Sequence, residues 1–113
     1  MPIRRGDLFW INLDLTRGSE QAGRRPVLVI QNDIGNQVAP TTIIAPLTTK
    51  SFSKEYPTNV PLPKGTAGLK SDSTVLLSQI RTVDKSRLLK KIGGLDETTM
   101  NKVDRAVKIS LGL

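Results

Sequence analysis

A small, strongly bent, mostly antiparallel β-sheet with one C-terminal helix is the fold class this sequence predicts. Three observations carry it: apolar residues come in short segments rich in branched side chains, Pro- and Gly-containing turns separate those segments, and the apolar spacing becomes helical near the C-terminus. Short strands joined by such turns point to a small barrel. The 113 residues make one domain, residues 1–113. A chain of this length buries roughly two-thirds of its extended-chain surface, so one core suffices.

Asp7 to Leu13 is aromatic and branched and reads as a strand, with Phe9, Ile11 and Leu13 on one face and Leu8 and Trp10 on the other. Residues 14–25, mostly polar and holding Gly18 and Gly23, read as a loop. Pro26 to Asn32 forms the second strand, apolar on both faces at Val27–Ile30 and therefore central in a sheet. Asp33 to Pro40 is a polar connection, and Thr41 to Thr48 is a third strand in which Pro46 predicts an edge, a bulge or an early end. A basic loop over 49–57 leads to a short strand, Thr58 to Leu62, and then to a Gly-containing turn region over 64–72. One strand is expected from Ser73 through Val83, and a poorer one from Leu88 to Leu95, weakened by Gly93-Gly94. Asp96 is placed as an N-cap with Glu97 in the first turn, and Met100, Val103, Val107 and Leu111 form the apolar stripe of a helix over 97–111.

Composition removes whole classes of chemistry. There is no cysteine and no histidine. Disulfides, thiolate nucleophiles, Ser-His-Asp triads and imidazole or thiolate metal sites are thereby excluded, and no metal site or cofactor is expected. Met1 to Arg5 begins with charge, and Gly6 and Asp7 interrupt any leader-like apolar stretch, so a cytoplasmic location without membrane attachment is expected. Seventeen Lys and Arg face ten Asp and Glu, a net charge of +7. The excess is concentrated: residues 50–91 hold nine bases against three acids. A polyanion is the natural partner; a solvated, solubilising face is the plainer alternative.

Three polar stretches at strand ends could carry a reaction. In Gly18 to Pro26, the glycines permit a sharp turn, and Pro26 restricts Arg25 to extended geometry. A guanidinium held this way offers a planar fork that matches two phosphate oxygens, although a surface ion pair would use the same residue. Thr48, before Thr49-Lys50, has a hydroxyl to donate to phosphate, or is simply a residue that suits a strand. Gln79 in Ser78-Gln79-Ile80-Arg81 can donate and accept on a base edge, or line an exposed strand face. A nuclease without histidine is chemically reasonable on RNA, because the ribose 2′-hydroxyl is a nucleophile already adjacent to every phosphate. Positioning and preorganised donors then carry the catalysis, and DNA would not be cut.

Arg5-Gly6-Asp7, Gly18-Ser19-Glu20-Gln21, Arg25-Pro26-Val27-Leu28-Val29-Ile30-Gln31-Asn32-Asp33, Leu47-Thr48 and the run Leu77 to Lys85, followed by the closing helix, resemble the MazF/PemK toxins in order along essentially the whole chain. The resemblance implies the SH3-like small barrel shared by MazF, PemK and CcdB-like toxins. It also implies a type II toxin–antitoxin ribonuclease, an mRNA interferase that cuts single-stranded RNA at a short sequence without metal and leaves 2′,3′-cyclic phosphate and 5′-hydroxyl ends. Implied partners are a second copy of the chain and an acidic, MazE-like antitoxin, with DNA met only indirectly through the antitoxin. Arg25 and Thr48 match the catalytic pair. Ser19, Glu20, Gln21 and Gln79 match base-reading positions, Tyr56, Pro57 and Thr58 a stacking and shape element, and Asn32 and Arg81 further RNA-binding positions. The chain departs from the family pattern in lacking a proline before Gly18 and in carrying Arg24 beside Arg25. Two other readings stand beside this one: a gyrase poison on the same barrel, and a non-catalytic nucleic-acid-binding module.

Overall fold

The computed structural model describes residues 2–13 and 23–113. Seven strands and two helices follow in the order β1 (Asp7–Leu13), β2 (Gly23–Val29), α1 (Asp33–Val38), β3 (Thr41–Thr48), β4 (Asn59–Leu62), β5 (Ser73–Leu76), β6 (Arg81–Asp84), β7 (Leu88–Gly94) and α2 (Glu97–Leu111). Short 3₁₀ turns lie at 66–68, 77–79 and 85–87. Every strand pairing is antiparallel, in the order β4-β5-β3-β2-β1-β7, with β6 beside the first half of β3.

Alternation along β1 and β2 feeds two cores, one on each face of the sheet. Leu8 and Leu28 join Ala45, Leu47 and Val75 beneath Val103 and Ala106 of α2. Phe9, Ile11, Val27 and Val29 meet Ile44, Val83 and Leu88 on the other side. The doubly apolar run at 27–30 is central, as its pattern requires. Each such side chain contributes about 1.5–3 kcal/mol when fully buried.

The sheet curls so that its two ends meet. The turn at 66–68, which follows β4, lies against β7 at the far end of the strand order. The approach is tight at Gly93, where a Cβ would stand 2.1 Å from the Ala67 carbonyl oxygen. Gly93, one of the two glycines that make residues 88–95 look a poor strand, is what lets β7 take this place, paired along β1 from Asp7–Gly94 to Ile11–Leu88.

Four expectations are corrected. β2 starts at Gly23, because pairing with β1 extends to Leu13–Gly23 and draws Arg24 and Arg25 out of the expected loop. Residues 33–38 are a helix, not a plain connection: Asn32 Oδ1 accepts from Gly35 N at 2.8 Å, and buried Asn36 donates to the Gln31 carbonyl at 2.9 Å while accepting from Thr42 Oγ1 at 2.7 Å. The strand expected over 73–83 breaks at 77–79, where Leu77 is buried and α2 packs on the turn. Pro46 lies mid-sheet, not at an edge. It pairs with Val27 on one flank, and on the other it falls between Ile44, the last residue on β6, and Leu47, the first on β5. A missing N–H costs least where a strand changes partner. Helix α2 is as expected, capped by Asp96 Oδ1 on Thr99 N at 2.8 Å, except that Leu111 is exposed.

Two outcomes follow. Gly93→Ala should destabilise the fold by about 1–3 kcal/mol, read as a lower denaturant midpoint at unchanged slope, because a backbone atom rather than a flexible side chain must move. Asp33, Asp84 and Asp96 are held below their ordinary pKa of 3.8, chiefly by hydrogen bonds from the Arg5 backbone N–H, from Ser86 and from Thr99 respectively. A depressed folded-state pKa stabilises above the unfolded value and loses that contribution as pH falls through the folded one. Thermal stability should therefore decline below about pH 4, and less steeply in Asp96→Asn, which keeps a capping oxygen without a titrating group.

Candidate active site

Arg25 stands on β2 opposite Ile11 of β1, with Pro26 behind it opposite Trp10. Thr48 is the last residue of β3. The β2–β3 register pairs Val29 with Ile44, Leu28 with Ala45 and Val27 with Pro46. Arg25 and Thr48 each lie two residues beyond the last of these pairs, and both border one cleft of about 470 Å³. Both residues are half-buried. Thr48 Oγ1 accepts from Lys50 N at 3.2 Å, which orients the hydroxyl with its own proton left to donate.

The cleft is apolar beneath and cationic at its rim. Trp10, Pro26, Leu47 and Leu69 line it, and so do Arg24, Arg25, Lys70, Lys90 and Lys91, with no carboxylate among the described residues that border it. Lys91 Nζ is steadied 3.3 Å from Oδ1 of the buried Asp7, whose Oδ2 accepts from Arg4 N at 3.0 Å. A concave surface of one charge sign focuses potential on an anion. No cluster of three His, Cys, Asp or Glu side chains occurs among the described residues. No helix among them is long and apolar enough to cross a membrane.

A second cleft of about 750 Å³ shares Thr49 and Ser73 with the first and is bordered by Phe52, Tyr56 and Pro57, with Lys50 and Lys54 balanced by Glu55 and Asp72. Tyr56 and Pro57 thus lie along a continuation of the first cleft. Thr58 is half-buried, and its carbonyl accepts from Leu77 N at 2.9 Å, tying the 77–79 turn to this loop. Gln79 and Arg81 are exposed on that turn and on β6, and neither borders these two clefts. Asn32 is exposed and caps α1. Ser19, Glu20 and Gln21 lie outside the described residues.

Sequence reasoning named neither Trp10, Phe52, Lys70, Lys90 nor Lys91 as site residues. The local charge excess over 50–91 was the signal for the lysines, since all three fall within it. Nothing in a linear pattern says that Lys70 and Lys90 flank one cleft, because that depends on the turn at 66–68 meeting β7.

Comparison with known proteins identifies the family. Residues 4–111 match the family described as PemK-like, MazF-like toxin of type II toxin-antitoxin system. The chain is 50% identical over 113 residues to the endoribonuclease EndoA of Bacillus subtilis (strain 168), covering 100% of this chain and 97% of that one. Among solved structures, MazF from Deinococcus radiodurans superposes with a TM-score of 0.80 at 29% identity, covering 100% of this chain and 99% of the other. A mycobacterial endoribonuclease in complex with its cognate antitoxin superposes with a TM-score of 0.77 at 26% identity, covering 99% and 95%.

The lysine rim makes a measurable forecast. Replacing Lys70, Lys90 and Lys91 together by alanine should weaken binding of single-stranded oligonucleotides and reduce the slope of log K against log salt by about 0.7 for each phosphate no longer neutralised. An unchanged slope would mean that these lysines do not meet phosphate.

Proposed function

This chain belongs to the PemK/MazF toxin family and is an endoribonuclease, and from that premise we propose that it cuts single-stranded RNA by driving the substrate's own 2′-hydroxyl onto the adjacent phosphorus. The observation that carries the reading is that Arg25 and Thr48 border one cleft whose charged side chains, among the described residues, are all cations. The O2′–P bond forms as the P–O5′ bond breaks, the 2′ proton leaves and the 5′ oxygen gains one. The products are a 2′,3′-cyclic phosphate and a 5′-hydroxyl.

In the crowded intermediate, negative charge builds on the two non-bridging oxygens. The Arg25 fork and the Thr48 hydroxyl are donors suited to those oxygens, and preorganised donors of this kind are worth most where charge develops. A guanidinium holds its proton too firmly to act as a base, so Arg25 serves as an electrostatic stabiliser. No step of this scheme needs a metal ion.

Base reading is assigned to Ser19, Glu20, Gln21 and Gln79, with Asn32 and Arg81 as further RNA contacts and the Tyr56-Pro57-Thr58 segment shaping the path. The active assembly is a homodimer in the cytoplasm. Its regulator is an acidic antitoxin laid over the basic cleft; the mycobacterial relative and Deinococcus MazF have both been solved with their antitoxins, MazE in the latter. The endoribonuclease relative weighs against the gyrase-directed and non-catalytic readings.

Arg25→Ala should lower the cleavage rate at least about 100-fold with unchanged thermal unfolding. Cleavage of a mixed RNA should persist in EDTA, and its abolition there would reject the metal-free scheme. A single deoxyribose on the 5′ side of the scissile phosphate should stop cutting at that site; continued cleavage would assign the attack to water.

A further inference from the structure

The chain has only four aromatic residues: one Trp, one Tyr and two Phe. Phe9 is buried in the core, and the other three all border the two contiguous clefts. Phe52 and Tyr56 stand on the loop after β3, with ring centroids 6.0 Å apart and planes at 78°, an edge-to-face pair. They are 37% and 48% exposed, although burial of a large ring is normally one of the stronger stabilising terms a small protein has. Lys50 Nζ lies over the Phe52 ring, 6.0 Å from its centroid. An aromatic surface kept in water beside a cation is unhelpful to the core and well suited to a nucleotide, which brings a flat π face and a phosphate together.

We propose that Phe52, paired with Tyr56 and flanked by Lys50, is a stacking platform for one unpaired base of the RNA outside the scissile step. The inference rests on the RNA reading above and extends it to a second subsite. Continuity decides the occupant: Thr49 and Ser73 border both clefts, so a strand whose phosphate sits between Arg25 and Thr48 runs on into the second cleft without leaving the protein surface. The volume of about 750 Å³ lies within the range of about 300–1,000 Å³ typical of compact ligand sites. Stacking tolerates any base, so the platform contributes affinity and a minimum substrate length more than sequence choice.

The test is fluorescence anisotropy with short, labelled 2′-O-methyl oligonucleotides, which bind but cannot be cut, and with a matched abasic phosphate strand. Phe52→Ala should weaken binding of the base-bearing strand about 5- to 150-fold and leave the abasic strand unchanged, with Phe52→Tyr restoring affinity and Phe52→Leu failing to. Because Phe52 is a surface loop residue, far-UV dichroism and thermal unfolding should match the parent in all three variants. Equal losses on the two strands, or full affinity in Phe52→Leu, would overturn the platform. So would an effect confined to an acidic peptide such as oligoglutamate, which would assign the rings to a protein ligand. Parallel incubation of the parent protein with ordinary RNA separates the two claims. Base-dependent binding without cleavage would retire the nuclease reading alone, and cleavage by a parent protein whose RNA affinity is unchanged in Phe52→Ala would retire the platform alone.

Discussion

The pairing register of β2 is the constraint on which the rest of the molecule depends. β2 is held along six consecutive pairs by β1, from Leu8–Leu28 to Leu13–Gly23, and by β3 through Val27–Pro46 to Val29–Ile44. A slip of one residue would turn Val27 and Val29 away from Phe9 and Ile44, and Leu28 away from Leu8 and Leu47. Each of those side chains contributes about 1.5–3 kcal/mol on burial, so both cores resist the same slip together. Arg25 and Thr48 lie just beyond the end of the same ladder and border one cleft. Accuracy at the site is thus inherited from packing on either side of it.

That inheritance also explains how five cations can surround one cleft. Exposed like charges repel by about 1 kcal/mol at 4 Å in water, and salt screens them over about 8–10 Å. The apolar burial behind them is the larger quantity, so the fold carries the repulsion as a standing bias toward an anion. Lys91 shows how the bias is kept in place: Asp7, buried and anchored by the Arg4 backbone, sits behind the rim and does not border the cleft.

Curling of the sheet makes the second wall. Lys70 and Leu69 follow the turn at 66–68, while Lys90 and Ile92 lie on β7; they meet around one cleft because Gly93 lets the Ala67 carbonyl approach. The residues that look weakest as strand formers are therefore the ones that complete the site. Pro46 is a similar case. Its propensity argues for an edge, and the structure uses it where β3 exchanges β6 for β5.

Elements whose apolar period matches their own surroundings were legible in the chain: β1 by alternation, β3 by its branched residues, α2 by its stripe and its Asp96 cap. Short elements held by distant partners were not. Helix α1 depends on Asn36 reaching Gln31 and Thr42, and the turn at 77–79 depends on α2 packing over Leu77. The lack of His and Cys, the family motifs and the charge excess over 50–91 determined the kind of chemistry and the polyanion partner, because side-chain chemistry and net charge are properties of composition. Tertiary structure alone decided that Arg25 and Thr48 border one cleft, that Lys70 and Lys90 share a rim, and that Phe52 lies on a cleft continuous with theirs. Contacts between residues far apart in the chain follow from strand register and sheet curvature, and these are set by burial of both faces at once, which no local pattern encodes.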